Sequence, residues 1–256
     1  MNDGVVKNKI RNRKIIILLL TVALIGLIIV GIFSYFDYVN KKVDYQNIDI
    51  NDPIVSELIH LTRNDNRFLF AGTKYENLYY STEKIDMKSF DLEFKLLLSY
   101  ITIDPNKIDD DGDFVVVKEE DLKKQYTKIF GDDNYKGQDI EYSCPTIISY
   151  NPKEKRYEYN EFCGGGITTG YENKIIEARK YDNKIEIYEK VAFYLFDEDY
   201  ESITYWENSD YTDLIVETSI DEEFNVDEYL QNMKTYKFVF ERKENNYYFK
   251  SVELVK

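Results

Sequence analysis

Residues 15–33 read IIILLLTVALIGLIIVGIF, a run with no charge and a single polar side chain, Thr21. Extended to Phe36 it would span about 33 Å as a helix, enough for the ~30 Å hydrocarbon core of a bilayer. A cleaved signal peptide has a shorter apolar run, of roughly 7–15 residues, and a small-x-small cleavage site. Here Ser34, Tyr35, Phe36, Asp37 and Tyr38 follow instead, and a lipobox cysteine is missing because the first cysteine is Cys144. The expectation is an uncleaved transmembrane helix over 15–36, with Ile15, Leu20, Leu24, Ile28 and Phe33 in the bilayer.

Orientation follows from the bases. Lys7, Lys9, Arg11, Arg13 and Lys14 precede the span against Asp3, a local charge of +4. Basic residues are retained on the cytoplasmic side, so residues 1–14 form a cytoplasmic tail and the remainder lies outside. Tyr35, Phe36 and Tyr38 suit the outer interface. Residues 37–51 show no sustained period and read as a tether, which leaves residues 52–256 for one extracytoplasmic domain.

With a net charge of −15 overall, the residues beyond the tail carry −19. Such a surface is repelled by nucleic acid and by anionic headgroups, which excludes nucleic acid as a partner and favours a basic, neutral or cationic one. Twenty-four Tyr and fifteen Phe give too much aromatic content for disorder and favour sheet.

Helical signals come first. Asp52-Pro53 is an N-cap followed by a first-turn proline, and Val55, Leu58, Ile59 and Thr62 share a face, predicting a helix to about Arg63. The stretch 67–80 mixes periods. An apolar stripe of Met87, Phe90, Phe94, Leu97, Leu98 and Ile101 predicts a second helix over 84–103, and acids ahead of Leu122, Tyr126 and Ile129 predict a third over 119–130, closed by Gly131. Strand patterns follow at 142–150, 156–163, 174–181, 184–196, 213–219, 235–243 and 247–255, with a short helix at 227–233. Helices before a meandering antiparallel sheet mean an α+β fold with two to three helices on the sheet. This order, helix then long hairpins over roughly 84–256, is similar in architecture to the cone-shaped domains of the cystatin-like and NTF2-like families. The likeness is one of layout, carried by no signature residue.

Local chemistry is sparse. A hairpin turning at Lys153-Glu154 places Tyr150 opposite Tyr157, and the same register places Cys144 opposite Cys163. Outside the cytoplasm that pairing predicts a disulfide closing a loop of roughly 20 residues. No C-x-x-C spacing or neighbouring base marks the cysteines as redox-active. Gly164-Gly165-Gly166 reads as a turn or bulge at a sheet rim. Asp109, Asp111 and Asp113 form an acidic loop that suggests calcium, but placing Gly112 at the sixth position of an EF-hand loop puts Lys107 first and Lys118 twelfth, where ligands are needed. A solvated loop is the plainer reading, and no cofactor or metal is assigned.

His60 is the lone histidine. It lies on the first helix without a nucleophile motif, and one histidine cannot build a zinc site with paired cysteines. Glu161 and Glu172 flank the glycines and are the first carboxylates to inspect for glycosidase chemistry. Trp206 with Tyr200, Tyr205 and Tyr211 could line a sugar platform, or pack in the sheet. With no catalytic constellation, the chain reads as a membrane-tethered interaction or binding module of an envelope-associated complex. The lipid bilayer and envelope proteins are its partners. A carboxylate-dependent envelope enzyme and a small-ligand binding domain are the alternatives.

Overall fold

The computed structural model describes residues 26, 45–63, 75, 84–110, 114–132, 134–141, 147–159, 168–197, 201–208, 210–222 and 224–255. The expected membrane span over 15–36, Gly26 aside, lies outside the described residues. So do Cys144, Cys163, Asp111, Asp113, Glu161, Tyr200 and the glycine triplet. Among the described residues no helix is long and apolar enough to cross a membrane. The chain divides into two units, Met1–Asp44 and Tyr45–Lys256, and all that follows concerns the second.

The second unit is α+β, with antiparallel sheets and few helices. Its first helix, α1 (Pro53–His60), starts where the sequence signals it. Asp52 accepts a hydrogen bond from the Ile54 amide at 3.0 Å, Pro53 needs no donor at the first position, and Val55, Leu58 and Ile59 are buried. The expected 84–103 helix begins later. Asp86 caps a single 3-10 turn at Met87–Ser89, Phe90 is extended, and Asp91 then caps α2 (Leu92–Ile101) through the Phe94 amide at 2.9 Å. Two aspartates that bond to nearby amides break what periodicity alone reads as one helix. Helix α3 (Glu119–Phe130) has three acids in its first turn and ends at Gly131 in the left-handed region, φ 64°. The Tyr248 ring lies against that glycine, and a Cβ there would come within 2.6 Å of its Cγ.

The strands form two sheets where the sequence suggests one meander. The smaller runs β3 (Ile108–Asp110), β4 (Val115–Lys118), β7 (Arg156–Tyr159), β6 (Ile147–Asn151), β5 (Ile140–Glu141). Its β6–β7 hairpin places Tyr150 opposite Tyr157, the expected register. The larger runs β1 (Gln46–Ile48), β8 (Thr168–Lys180), β9 (Lys184–Asp197), β12 (Lys234–Lys243), β13 (Asn246–Leu254), β2 (Ile85–Asp86). Residues 46–48 fall within the expected tether, yet they add to β8 as an edge strand. Tyr45 anchors them, its ring 5.6 Å from that of Tyr181 and 4.8 Å from the Arg179 guanidinium carbon.

Alternate residues of β9 (Ile185, Ile187, Val191 and Phe193) are fully buried beside Phe238 and Phe240 of β12. Helix α3 lies on β13 and also touches β4, and α2 packs on α3 and β5. One core therefore joins both sheets through the two helices, with Leu96, Leu97, Val117 and Tyr157 in the same cluster as Phe238.

Candidate functional site

Strand β9 has fourteen residues and offers more edge than one neighbour can cover. Along one edge it pairs with β8. Along the other, Lys184–Val191 pairs with β12, and Phe193–Asp197 pairs with β10 (Ser202–Trp206), which in turn carries β11 (Leu214–Ser219). Two arms thus leave the same edge. One is β12–β13–β2. The other is β10–β11, followed by a segment that contains the short helix α4 (Val226–Tyr229).

The arms differ in charge. Residues 191–233 contain thirteen Asp and Glu and no Lys or Arg. Residues 234–256 contain six Lys and Arg against three Glu. Adjacent arms of one sheet therefore carry opposite net charge, and most of the chain's excess negative charge sits on one of them. Lysines meet the acidic arm at its root. Lys234 Nζ is 3.9 Å from Glu207 and 3.8 Å from Asp213, and Lys190 Nζ donates to the Met233 carbonyl at 2.6 Å. Burial lowers the Lys190 pKa against the attraction of Glu207.

A separate apolar cluster holds the acidic arm together. Tyr205 stacks on Phe224 at 3.8 Å, and Phe224 on Tyr229 at 5.3 Å, with Ala192 and Met233 buried beside them. Tyr194 tilts against Tyr205 at 5.7 Å. Burial, and then the nearby Glu172 carboxylate, push the Tyr205 hydroxyl up to about 12. This accounts for several residues singled out from sequence. Tyr205 is a core ring, Trp206 meets Tyr211 edge-on at 6.5 Å with its indole nitrogen buried, and Glu172 faces tyrosines. His60 Nδ1 lies 2.6 Å from the Ser56 carbonyl on its own helix, and Asp109 is 3.9 Å from Lys118 Nζ. Among the described residues no group of three or more His, Cys, Asp or Glu could hold a metal ion.

Two carboxylates of β9 are buried. Glu189 lies on the core face and pairs with Arg63 just beyond α1; desolvation raises its pKa more than Arg63 lowers it. On the opposite face, burial would raise Glu186, but hydrogen bonds from Lys184, Tyr181 and Tyr188 outweigh it and hold the carboxyl below its usual range. Both pairings tie neighbouring segments to β9.

Three concavities lie away from these carboxylates, and a further one of about 440 Å³ sits on the acidic arm itself between Glu201, Ser202, Glu217 and Ser219. A cleft of about 640 Å³ between α1, α3 and the β12–β13 turn has Ile54, Leu58, Leu61 and Tyr247 on its walls and Lys124 and Lys128 at its rim. A second, of about 920 Å³, lies over the small sheet between Lys118, Lys136, Arg156 and Glu119. A third, of about 440 Å³, gathers Lys88, Lys95, Arg242, Lys243 and Lys250. Asp132 lies 3.3 Å from Lys95, and Asp86 3.2 Å from Lys250, so part of its charge is neutralised. Glu189 and Glu186 line none of these three clefts.

The acidic arm is the feature that sequence reading missed, although its signal was present as 43 consecutive residues without a base. Comparison with protein-family models, with curated proteins and with solved structures gives no match for this chain.

Proposed function

We propose that this chain is a membrane-tethered interaction module whose α+β domain lies outside the cytoplasm and works as a component of an envelope-associated complex. The observation that carries the reading is the segregation of charge along one edge of β9, with acids on the β10–β11 arm and an excess of bases on the β12–β13 arm. Stability does not require such separation, since mixed charges solubilise a surface as well. Separated potentials steer and orient charged partners. The anchor is supported by the uncharged run 15–36 and the five bases ahead of it. Cys144 and Cys163 would be oxidised in that location.

The test is in-cell cross-linking with the full-length chain as bait, followed by mass spectrometry, beside a topology assay with reporters at either terminus. The expected result is reproducible capture of particular envelope proteins, and a C-terminal reporter active only outside the cytoplasm. A chain recovered alone, or a C-terminus in the cytoplasm, overturns the proposal.

A further inference from the structure

A sheet edge exposes a row of unpaired amides and carbonyls, and folded proteins blunt such edges by keeping them short, charged with lysine, or broken by proline. The strands that close the sheets elsewhere follow that rule, and β8, which runs past β1 over residues 168–177, carries Lys174 in that stretch. β1 and β3 have three residues each, and β2 and β5 have two. β11 has six, reads LIVETS, and contains neither lysine nor proline. Among the described residues it pairs with β10 alone. Its register shows which groups are open. The Ile220 amide donates to the Glu201 carbonyl at 3.0 Å, so the backbone groups of Thr218 and Val216, two and four residues back, also face β10. The amides of Glu217 and Ser219 therefore point to the open side. Leu214 is 57% exposed and Ile220 47% exposed, one at each end of the strand.

We infer that β11 is a docking edge that accepts an extended segment of a partner protein as a further strand, and that this segment alternates apolar residues with Lys or Arg. The inference rests on the interaction-module reading and specifies its surface. Main-chain hydrogen bonds supply affinity in strand addition, and side chains supply selectivity. Here selectivity is set by Glu201, Glu217, Asp221 and Glu222 along the edge, while Glu207 and Asp213 at its other end already meet Lys234. A second copy of this chain would bring those same acids against each other. Charge therefore selects a basic partner strand over self-association.

The test uses the full-length chain in detergent micelles and two fluorescent eight-residue peptides, one alternating Lys and Val, the other Glu and Val. Anisotropy should show binding of the Lys-Val peptide and at least tenfold weaker binding of its acidic twin. Ser219→Pro removes an outward amide without breaking a bond to β10, and should weaken Lys-Val binding at least tenfold. Glu217→Lys should weaken it too. Bound peptide should also slow hydrogen exchange at the Glu217 and Ser219 amides of the unmodified chain, a reading that survives if a variant fails to fold. No binding of the Lys-Val peptide, or unchanged exchange at both amides on binding, overturns the docking edge. Unchanged exchange with binding retained leaves plain electrostatic adsorption to the acidic arm. If the in-cell capture above succeeds while this test fails, the module reading stands and its partner docks elsewhere.

Discussion

Strands β12 and β10 lean on the same edge of β9, a few residues apart, yet the arms they begin are built differently. The β12 arm turns its apolar face to the helices, and Phe238 and Phe240 are fully buried there. Its surface is mixed in charge, and it ends in β2, a strand too short to recruit another. The β10 arm packs on its own small aromatic cluster, carries acids only, and ends in a six-residue strand. The same local geometry, an antiparallel neighbour on β9, thus serves two ends. Where the helices cover it, burial decides the sequence. Where they stop, charge and an open edge remain, and these suit recognition more than stability.

The division breaks if stability is not concentrated under the helices. Phe240→Ala should cost about 3–5 kcal/mol in denaturant unfolding, as large-to-small changes in a filled core do. Leu214→Ser on the exposed edge should change stability by less than about 0.5 kcal/mol. Equal effects would erase the distinction between the arms. Glu189→Ala should also cost about 3–5 kcal/mol, because it breaks the buried pair that Glu189 forms with Arg63. The paired change Arg63→Met with Glu189→Leu should recover most of that loss.

Reduction of a Cys144–Cys163 bond should lower stability by about 3 kcal/mol, a value set by the loop it closes. Intact-mass measurement under non-reducing conditions shows whether that bond exists.

Acid sharpens the contrast at β9 itself. Glu186 is held below its unfolded value of 4.5, so it contributes stability that is present above that value and lost as pH falls through its lower folded value. Glu189 runs the other way. Its folded pKa is raised, so its contribution is full below the unfolded value and lost as pH rises through the folded one. Glu186→Gln should therefore flatten the acid limb of stability against pH. A smaller loss belongs to the start of α1, where Asp52→Ala should cost about 1 kcal/mol through loss of the cap on Ile54.

Local signals carried far into the structure. Asp52-Pro53 marks the start of α1, the acids and Gly131 bound α3, and the Lys153-Glu154 turn sets Tyr150 against Tyr157, because caps and tight turns are decided by residues a few positions apart. Nonlocal pairing was not legible. β4 lies beside β7 across some forty residues of chain, so one expected meander becomes two sheets. Ser202–Trp206 is a short strand between turns, recognisable only once Phe193–Asp197 is seen to offer it an edge. The candidate surface was half legible. Its charge is plain in the sequence of residues 191–233, but which strand is left open depends on how β9 divides its edge.

The most direct measurement places a photo-reactive benzoylphenylalanine at Leu214 in the full-length chain in cells, and in a second strain at Tyr247 on the opposite arm. Adducts are then mapped by sequencing the captured peptide. The interaction-arm view expects a defined adduct from Leu214, on a segment alternating apolar and basic residues, and none of that kind from Tyr247. A defined adduct from Tyr247 with none from Leu214 would contradict it and move the site of recognition to the cleft beside α1 and α3.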